Sequence, residues 1–295
     1  DLIILLTFIY LVLSYLKRPQ DLSKYNCKYV VITGATGGVG KEIVHQMFRS
    51  HKIIIIARNQ QEIDRLVNLY GNTILAFKFD FSSPLENFAS LFTKFLQENE
   101  ISGDEIGMCF SNAGHGYLHN FDETSFESKQ IFMQVNVDSH LMLADYFTKL
   151  FVKRKRSAFI VTSSAIINML MSKYLMYHTA KVALTSLIHA LHIEYHGKID
   201  FMAVHPSSIS NTKFMANKEM QVSGFLGKNI DKLINELPIS VSPRQVVDVM
   251  LSRIGKESVC QVGTFAVLVA MLFSLGRNIN GAIWAGMTGI LALFE

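Results

Sequence analysis

A glycine-rich stretch near the N-terminus limits the possible folds more than any other feature of the chain. It reads VVITGATGGVGKEIV, and its β-branched apolar run is followed by four glycines and an amphipathic helical pattern, the glycines being Gly34, Gly37, Gly38 and Gly40. A turn without side chains between a buried strand and a helix lets backbone N–H groups meet a pyrophosphate. The spacing TGxxxGxG has three residues between its first two glycines, where GxGxxG has one. On this stretch alone, a nucleotide cradle and a plain tight turn both remain open.

Apolar β-rich runs and helical patterns alternate through the middle of the chain. The predicted strands are Tyr29–Thr33, Lys52–Ala57, Thr73–Phe79, Ile106–Ser111, Ser157–Ser163 and Ile199–His205. The intervening segments, such as LENFASLFTKFLQ, have apolar residues at helical spacing. This alternation predicts an α/β fold, a Rossmann-like doubly wound parallel sheet with helices on both faces. We expect it to span residues 28–258 as one domain, with a lid at about 207–237.

The N-terminus predicts a membrane anchor over residues 1–18. Leu2 to Leu16 contains no charged residue, and Lys17 and Arg18 follow it. As a helix this run would be ~22 Å long, shorter than the ~30 Å hydrocarbon core of a bilayer. A signal peptide is the alternative, although no small-residue cleavage site follows. The basic residues after the run favour a cytosolic position for the domain.

The C-terminal segment, residues 259–295, is also apolar. Its two runs, Val262 to Gly276 and Gly281 to Phe294, are separated by a short polar stretch. A membrane-associated hairpin or a pair of interfacial helices fits this pattern, with Trp284 at the interface. The alternative is a buried terminal strand and helix that complete the core or a dimer.

Composition and residue spacing argue against a nucleic-acid partner and a metal site. Apolar residues make up 49% of the chain and charged residues 18%, and the net charge is +4. That charge suits a membrane surface or an anionic cofactor and is too weak to indicate nucleic acid. Cys27, Cys109 and Cys260 have neither CxxC spacing nor a disulfide pattern, and the histidines show no metal-ligand pairing. We therefore expect no metal and a reducing compartment.

The end of the second predicted strand bears on the choice of cofactor. An acidic residue there would bind a ribose 2′-hydroxyl and repel a 2′-phosphate. The sequence instead reads IIIIARN, so Arg58 occupies that corner. A guanidinium can pair with a phosphate and stack on adenine, which favours NADPH over NADH. The alternative is that Arg58 only solvates the end of the strand.

Three residues farther along predict the reacting groups. In YHTAK, Tyr177 and Lys181 lie four residues apart and so share one helix face. Tyrosine has an ordinary pKa near ~10, and an adjacent ammonium would lower it and make a proton donor for a carbonyl. Ser164, at a predicted strand end, could orient the carbonyl oxygen.

Together these features resemble the short-chain dehydrogenase/reductase superfamily, in the pattern TGxxxGxG, NAG, N, S and YxxxK, over about residues 28–255. Two departures stand out: Ser111 replaces the first asparagine of NNAG, and Ser207 replaces a glycine. The resemblance implies the catalytic set Asn136, Ser164, Tyr177 and Lys181. With Arg58, the predicted NADPH site comprises Thr33, Gly34, Thr36, Gly37, Gly38, Val39, Gly40, Arg58, Asp80, Phe81, Asn112, Ala113, Gly114, Tyr177, Lys181, Pro206, Ser207 and Thr212.

The substrate is expected to be a hydrophobic ketone, because the segment Ile166–Tyr174 is rich in Ile, Leu and Met. The anchor and the apolar tail resemble two membrane groups of the superfamily, 17β-hydroxysteroid dehydrogenase/very-long-chain 3-oxoacyl-CoA reductase and 3-ketodihydrosphingosine reductase. Both imply the bilayer as partner and the cytosolic face of the endoplasmic reticulum. Retinol- or steroid-type dehydrogenation is a third possibility. A different class also stays open: an accessory subunit of a membrane complex that binds nucleotide with little or no turnover. As protein partners, a second copy of the chain in a homodimer and the subunits of a membrane complex both stay open.

Overall fold

Seven parallel strands form the sheet on which the other elements pack. The computed structural model describes residues 21–169, 173–210 and 240–276. The strands are β1 Tyr29–Thr33, β2 Lys52–Ala57, β3 Ile74–Lys78, β4 Ile106–Ser111, β5 Ser157–Thr162, β6 Ile199–Pro206 and β7 Val259–Val262. Their order is β3-β2-β1-β4-β5-β6-β7. The order reverses between β1 and β4, and α/β sheets bind ligands outside the carboxyl ends of strands at such a point.

Helices cover both faces of this sheet. They are α1 Gly38–Met47, α2 Gln60–Tyr70, α3 Phe88–Glu98, α4 Phe126–Met133, α5 Ser139–Phe151, α6 Leu175–Glu194, α7 Pro243–Arg253 and α8 Thr264–Gly276. A π-helical turn, Gln134–Asp138, joins α4 to α5, and a 3-10 turn, Ala165–Asn168, follows β5. Helices α1, α2 and α7 bury apolar residues on one face, and α3, α5 and α6 do so on the other.

The alternation of side chains along β1 shows why both faces need cover. Val30 and Ile32 pack into the first apolar cluster, whereas Tyr29 and Val31 pack into the second. All five residues of the strand are buried. The sequence of a central parallel strand is therefore a continuous apolar run and not an alternating one. This is why β1 could be predicted from the sequence.

The doubly wound α/β fold predicted from sequence is confirmed. Three strands have the predicted bounds, β1, β2 and β4, and the ends of the other three differ by one residue. The sheet extends past residue 258, because Val259–Val262 pairs with β6 as a seventh strand. The sequence predicts these four residues as part of the apolar C-terminal segment, residues 259–295, and not as a strand of the sheet. A strand of only four residues leaves no clear sequence pattern when an apolar helix follows it directly.

The apolar run that begins at Val262 continues as α8, which packs against β7 and the 3-10 turn Ala165–Asn168. Ala266 and Val269 are buried, as in the alternative of a terminal strand and helix. Among the described residues, no helix is both long and apolar enough to cross a membrane. The predicted anchor, most of the predicted lid and the second apolar run lie outside the described residues.

Gly40 provides a test of the glycine-rich turn. A Cβ at this position would collide with the carbonyl oxygen of Gly34, itself in the left-handed region at φ 63°. We predict that Gly40→Ala lowers the free energy of unfolding by about 1–3 kcal/mol, the usual cost of overpacking. The measurement is chemical denaturation. Gly37→Ala is the matched control, because a Cβ there meets nothing within 4 Å; equal destabilisation by both variants would contradict the prediction.

Candidate active site

The first part of the site is the amino end of α1. Gly37 caps this helix without a side-chain hydrogen bond, and a Cβ on it would meet open space. Gly38 has a φ of 48°, which favours glycine. Backbone N–H groups of a helix's first turn have no partner within the helix and attract anions. The turn, with Thr36 and the buried Val39 at its sides, therefore fits a pyrophosphate.

A hydrogen-bonded junction holds this turn against the neighbouring strands. The hydroxyl of Thr33 accepts the backbone N–H groups of Asn112 and Ala113, both at 2.9 Å. The Asn112 amide donates to the Thr33 carbonyl at 3.4 Å and accepts the Thr162 hydroxyl at 2.9 Å. The carboxyl ends of β1, β4 and β5 are thus fixed to one another at the predicted nucleotide edge.

Ser164 and Tyr177 are the predicted reacting pair. Ser164 follows β5 and caps the 3-10 turn after it, accepting the Ile166 N–H at 3.3 Å. Tyr177 lies in the first turn of α6 and is 8% exposed. Burial raises the pKa of Tyr177 well above its usual value, and the hydrogen bond from Ser164 opposes this only in part. The phenol is therefore protonated at neutral pH, as a proton donor must be.

Lys181 is buried one turn after Tyr177. Its Nζ donates to the Thr162 carbonyl at 2.9 Å and lies 5.5 Å from the centre of the Tyr177 ring. Burial lowers the pKa of Lys181 to about 8. The pKa of Tyr177 lies above its usual value in this structure, and not below it as predicted, because burial outweighs the hydrogen bond from Ser164. The contribution of Lys181 to that pKa stays a prediction.

Asn136 completes the predicted catalytic set from the π-helical turn. Its amide nitrogen donates to the Phe132 carbonyl at 3.0 Å, and its oxygen accepts the His115 N–H at 3.1 Å. A Cβ on Gly114 would lie 2.8 Å from that oxygen and 4.0 Å from the Lys181 Nζ. Asn136 and Lys181 therefore border the exposed Gly114 from two sides, which suits a relay of protons between solvent and the lysine.

Arg58 and Asp80 lie at the adjacent corner, after β2 and β3. The guanidinium is 3.7 Å from the carboxylate and 69% exposed. Burial acts to raise the pKa of Asp80, but hydrogen bonds from Ser82 and the charge of Arg58 outweigh it, so the pKa falls below its usual value. Phe81 is buried next to it. Arg58 thus has a weak partner and remains accessible to an incoming phosphate.

The segment after β6 also lies at the carboxyl ends of the strands. Pro206 ends the strand, and the Ser207 hydroxyl is buried with no hydrogen-bond partner among the described residues. A Cβ on Gly263 would lie 2.5 Å from that hydroxyl. The serine that replaces the glycine of the family pattern is thus packed against the start of α8. Thr212 lies outside the described residues.

Two supporting networks were not predicted. His140 accepts the Ser111 hydroxyl at 2.7 Å and donates to the Ala113 carbonyl at 2.9 Å, so it braces the NAG segment. His205 bonds to Thr185 at 3.0 Å, and Thr185 donates to the Lys181 carbonyl at 2.9 Å. Sequence separations of 20 to 29 residues gave no signal for these contacts. The replacement of asparagine by Ser111 was the one visible hint.

The glycine turn, the NAG segment and the Ser–Tyr–Lys set thus converge on one edge of a seven-stranded parallel sheet. The sequence profile described as short chain dehydrogenase matches residues 28–222. The chain belongs to the short-chain dehydrogenase family. The superfamily resemblance inferred from the sequence is therefore confirmed.

Similar proteins fall within this family. An NADPH-dependent 1-acyldihydroxyacetone phosphate reductase of Saccharomyces cerevisiae is 28% identical over 59% of this chain and 58% of its own length. A very-long-chain 3-oxoacyl-CoA reductase-like protein of Arabidopsis thaliana is 24% identical over 61% of this chain and 59% of its own. The chain thus matches under two thirds of the length of these relatives. The closed form of a serine dehydrogenase complexed with NADP+ has the same fold, with a TM-score of 0.67 at 16% identity over 79% of this chain and 94% of that one.

The buried histidines predict acid sensitivity. Burial lowers the pKa of His140 and of His205 to about 3. Between that value and the ordinary pKa of 6.5, the unfolded chain binds more protons than the folded one, so stability falls as pH drops from 6.5 towards 3. Denaturation midpoints measured across this range should decline, and His140→Gln should make the decline shallower. A decline of unchanged slope in the variant would contradict the assignment.

Proposed function

We propose that the chain is an NADPH-dependent reductase of a ketone carried by a hydrophobic acyl lipid. The observation that carries this proposal is the buried set of Ser164, Tyr177 and Lys181 beside the glycine-rich turn. A phenol held protonated, next to a serine hydroxyl, can donate a proton to a carbonyl oxygen. NADPH, when bound, supplies the hydride.

Each residue of the set has a separate task. Ser164 orients the carbonyl oxygen toward the phenol of Tyr177, which donates its proton as the oxygen gains negative charge. Lys181, fixed on the Thr162 carbonyl, supplies positive charge beside the phenolate that forms. Asn136 and the opening at Gly114 allow the proton to be replaced from solvent. The buried setting strengthens each of these electrostatic contacts.

Arg58 supports NADPH as the cofactor. It stands at the corner after β2, where an acidic residue would repel a 2′-phosphate. Its partner, Asp80, is 3.7 Å away and keeps the guanidinium near the strand end without enclosing it. The yeast relative is itself described as NADPH-dependent, which agrees with this choice.

The surroundings of Tyr177 support an apolar substrate. Tyr117, Phe132 and Ile166 pack in one cluster with Tyr177, and partly buried Met and Tyr side chains lie against it. The yeast relative is named for an acylated dihydroxyacetone phosphate, and the Arabidopsis relative for very-long-chain 3-oxoacyl-CoA. An acyl ester or thioester with a ketone near its head would place the ketone at Tyr177 and the chain along this cluster. The proposal also places the catalytic domain at the cytosolic face of the endoplasmic reticulum.

Turnover tests the proposal directly. The purified chain is given NADPH with 1-acyldihydroxyacetone phosphate, a 3-oxoacyl-CoA, 3-ketodihydrosphingosine or a 17-ketosteroid, and absorbance of NADPH is followed. We expect loss of absorbance with an acyl substrate, and Tyr177→Phe should lower kcat by about 10²–10⁴-fold while NADPH still binds. Tyr146→Phe, a tyrosine bonded to Thr93 away from the site, is the control. Nucleotide binding without turnover on any substrate would instead support the accessory-subunit alternative.

Cofactor choice has its own test. Arg58→Asp should weaken NADPH binding by about ten- to a hundredfold, because a charge-assisted hydrogen bond is replaced by repulsion, and should leave NADH binding nearly unchanged. The dissociation constants are measured by fluorescence titration. Arg65→Asp, an exposed arginine on α2 paired with Glu62, controls for the change in net charge. Equal loss for both cofactors would rule out a 2′-phosphate contact at Arg58.

A further inference from the structure

A basic groove lies at the edge of the sheet opposite the candidate active site. It is formed by residues 24–28 before β1, by Asp104 and Glu105 before β4, and by residues 153–156 before β5, and it encloses about 640 Å³. We call this the basal groove. All of its parts precede the amino ends of strands, whereas the catalytic residues follow the carboxyl ends.

Half of the groove's cations are held by partners that fix its shape. Arg156 and Lys24 pair with the buried carboxylate of Asp200, to which the Tyr25 hydroxyl also donates at 2.8 Å. Lys28 pairs with Glu105 at 2.8 Å. These contacts tie the segment before β1 to the amino ends of β4 and β6. These ion pairs and this hydrogen bond therefore hold the groove in a defined shape.

The remaining cations of the groove are Lys153, Arg154 and Lys155. Lys153 and Lys155 are exposed, and no carboxylate pairs with either one in the part of the chain that the structure describes. Arg154 donates to the backbone carbonyls of Tyr25 and Asn26 at 2.7 and 2.9 Å, so its charge is not neutralised by a carboxylate. With Asp200 included, six cations face three carboxylates. The groove thus carries a net positive charge and attracts anionic groups.

The sequence before the groove favours one anionic partner. Leu2 to Leu16 is uncharged, Lys17 and Arg18 follow, and only Pro19 and Gln20 precede Asp21. Three peptide steps separate Arg18 from Asp21 and reach at most about 11 Å. If the apolar run enters a bilayer, the basal groove must lie close to its headgroups. An acidic protein segment would match the charge but not this tether.

We propose that the basal groove docks on the headgroups of anionic lipids through Lys153 and Lys155. The protein then sits with the amino ends of its strands toward the bilayer. The carboxyl edge, with the nucleotide turn and Tyr177, faces the aqueous side. A water-carried amphiphile such as an acyl thioester or phosphate ester reaches Tyr177 in this orientation. The docking does not depend on the reductase activity proposed above.

Lysine labelling of the full chain in vesicles tests the docking. The protein is reconstituted in phosphatidylcholine alone or with phosphatidylserine, treated briefly with an amine-reactive reagent, and each lysine is quantified by mass spectrometry. We expect Lys153 and Lys155 to react about fivefold more slowly with phosphatidylserine present, the factor that corresponds to ~1 kcal/mol per lysine at an anionic surface. Half-molar salt should abolish the protection, because the contact is electrostatic. Lys78 and Lys94, exposed elsewhere, should be unaffected.

Three outcomes would overturn the proposal. Equal reactivity in both vesicles would show that the groove does not meet the bilayer. Protection in phosphatidylcholine alone, or in detergent, would indicate that another copy of the chain covers it. Protection by soluble glycerophosphoserine would indicate a small-anion site. NADPH binding by Lys153→Gln/Lys155→Gln should equal that of the unaltered chain, and the Lys78→Gln/Lys94→Gln pair controls for charge, so a failure here is separate from a failure of the reductase proposal.

Discussion

The hydroxyl of Thr33 is the contact on which the rest of the site depends. It accepts two successive backbone N–H groups from the end of β4, and the Asn112 side chain continues the junction to Thr162 on β5. Parallel strands pair through their backbones but leave their ends free to diverge. This junction holds three strand ends together, so the nucleotide turn and the lysine that rests on the Thr162 carbonyl keep a fixed separation.

Burial, more than charge pairing, sets the protonation states at this edge. It raises the pKa of Tyr177, lowers that of Lys181 to about 8 and lowers that of His140 to about 3. Each shift follows from the cost of placing a charged form away from water. The result is a protonated phenol, a lysine that titrates near the working pH and a neutral histidine that serves as a brace. The phenol is thereby kept in the protonated form that the proposed reduction requires.

The two edges of the sheet differ in what their side chains do. At the carboxyl edge, glycines and buried polar groups leave room for a nucleotide and position a few reacting atoms. At the amino edge, the Asp200 carboxylate accepts the Tyr25 hydroxyl and pairs with Lys24 and Arg156. Lys153 and Lys155 remain exposed. Because all strands run the same way, the predicted catalytic residues and the proposed docking surface lie at opposite ends of the strands.

The sequence by itself determined the parallel sheet, the glycine turn and the Tyr177–Lys181 pair, because each rests on local spacing: buried runs, a turn without side chains, and one helical turn between two residues. The tertiary structure decided the rest. The brace of His140 on Ala113, the place of Val259–Val262 at the sheet edge and the clustering of residues 24–28 with 153–156 join segments far apart in the chain. Burial, which raises the pKa of Tyr177 above its usual value, depends on how all the elements pack. No local pattern encodes it.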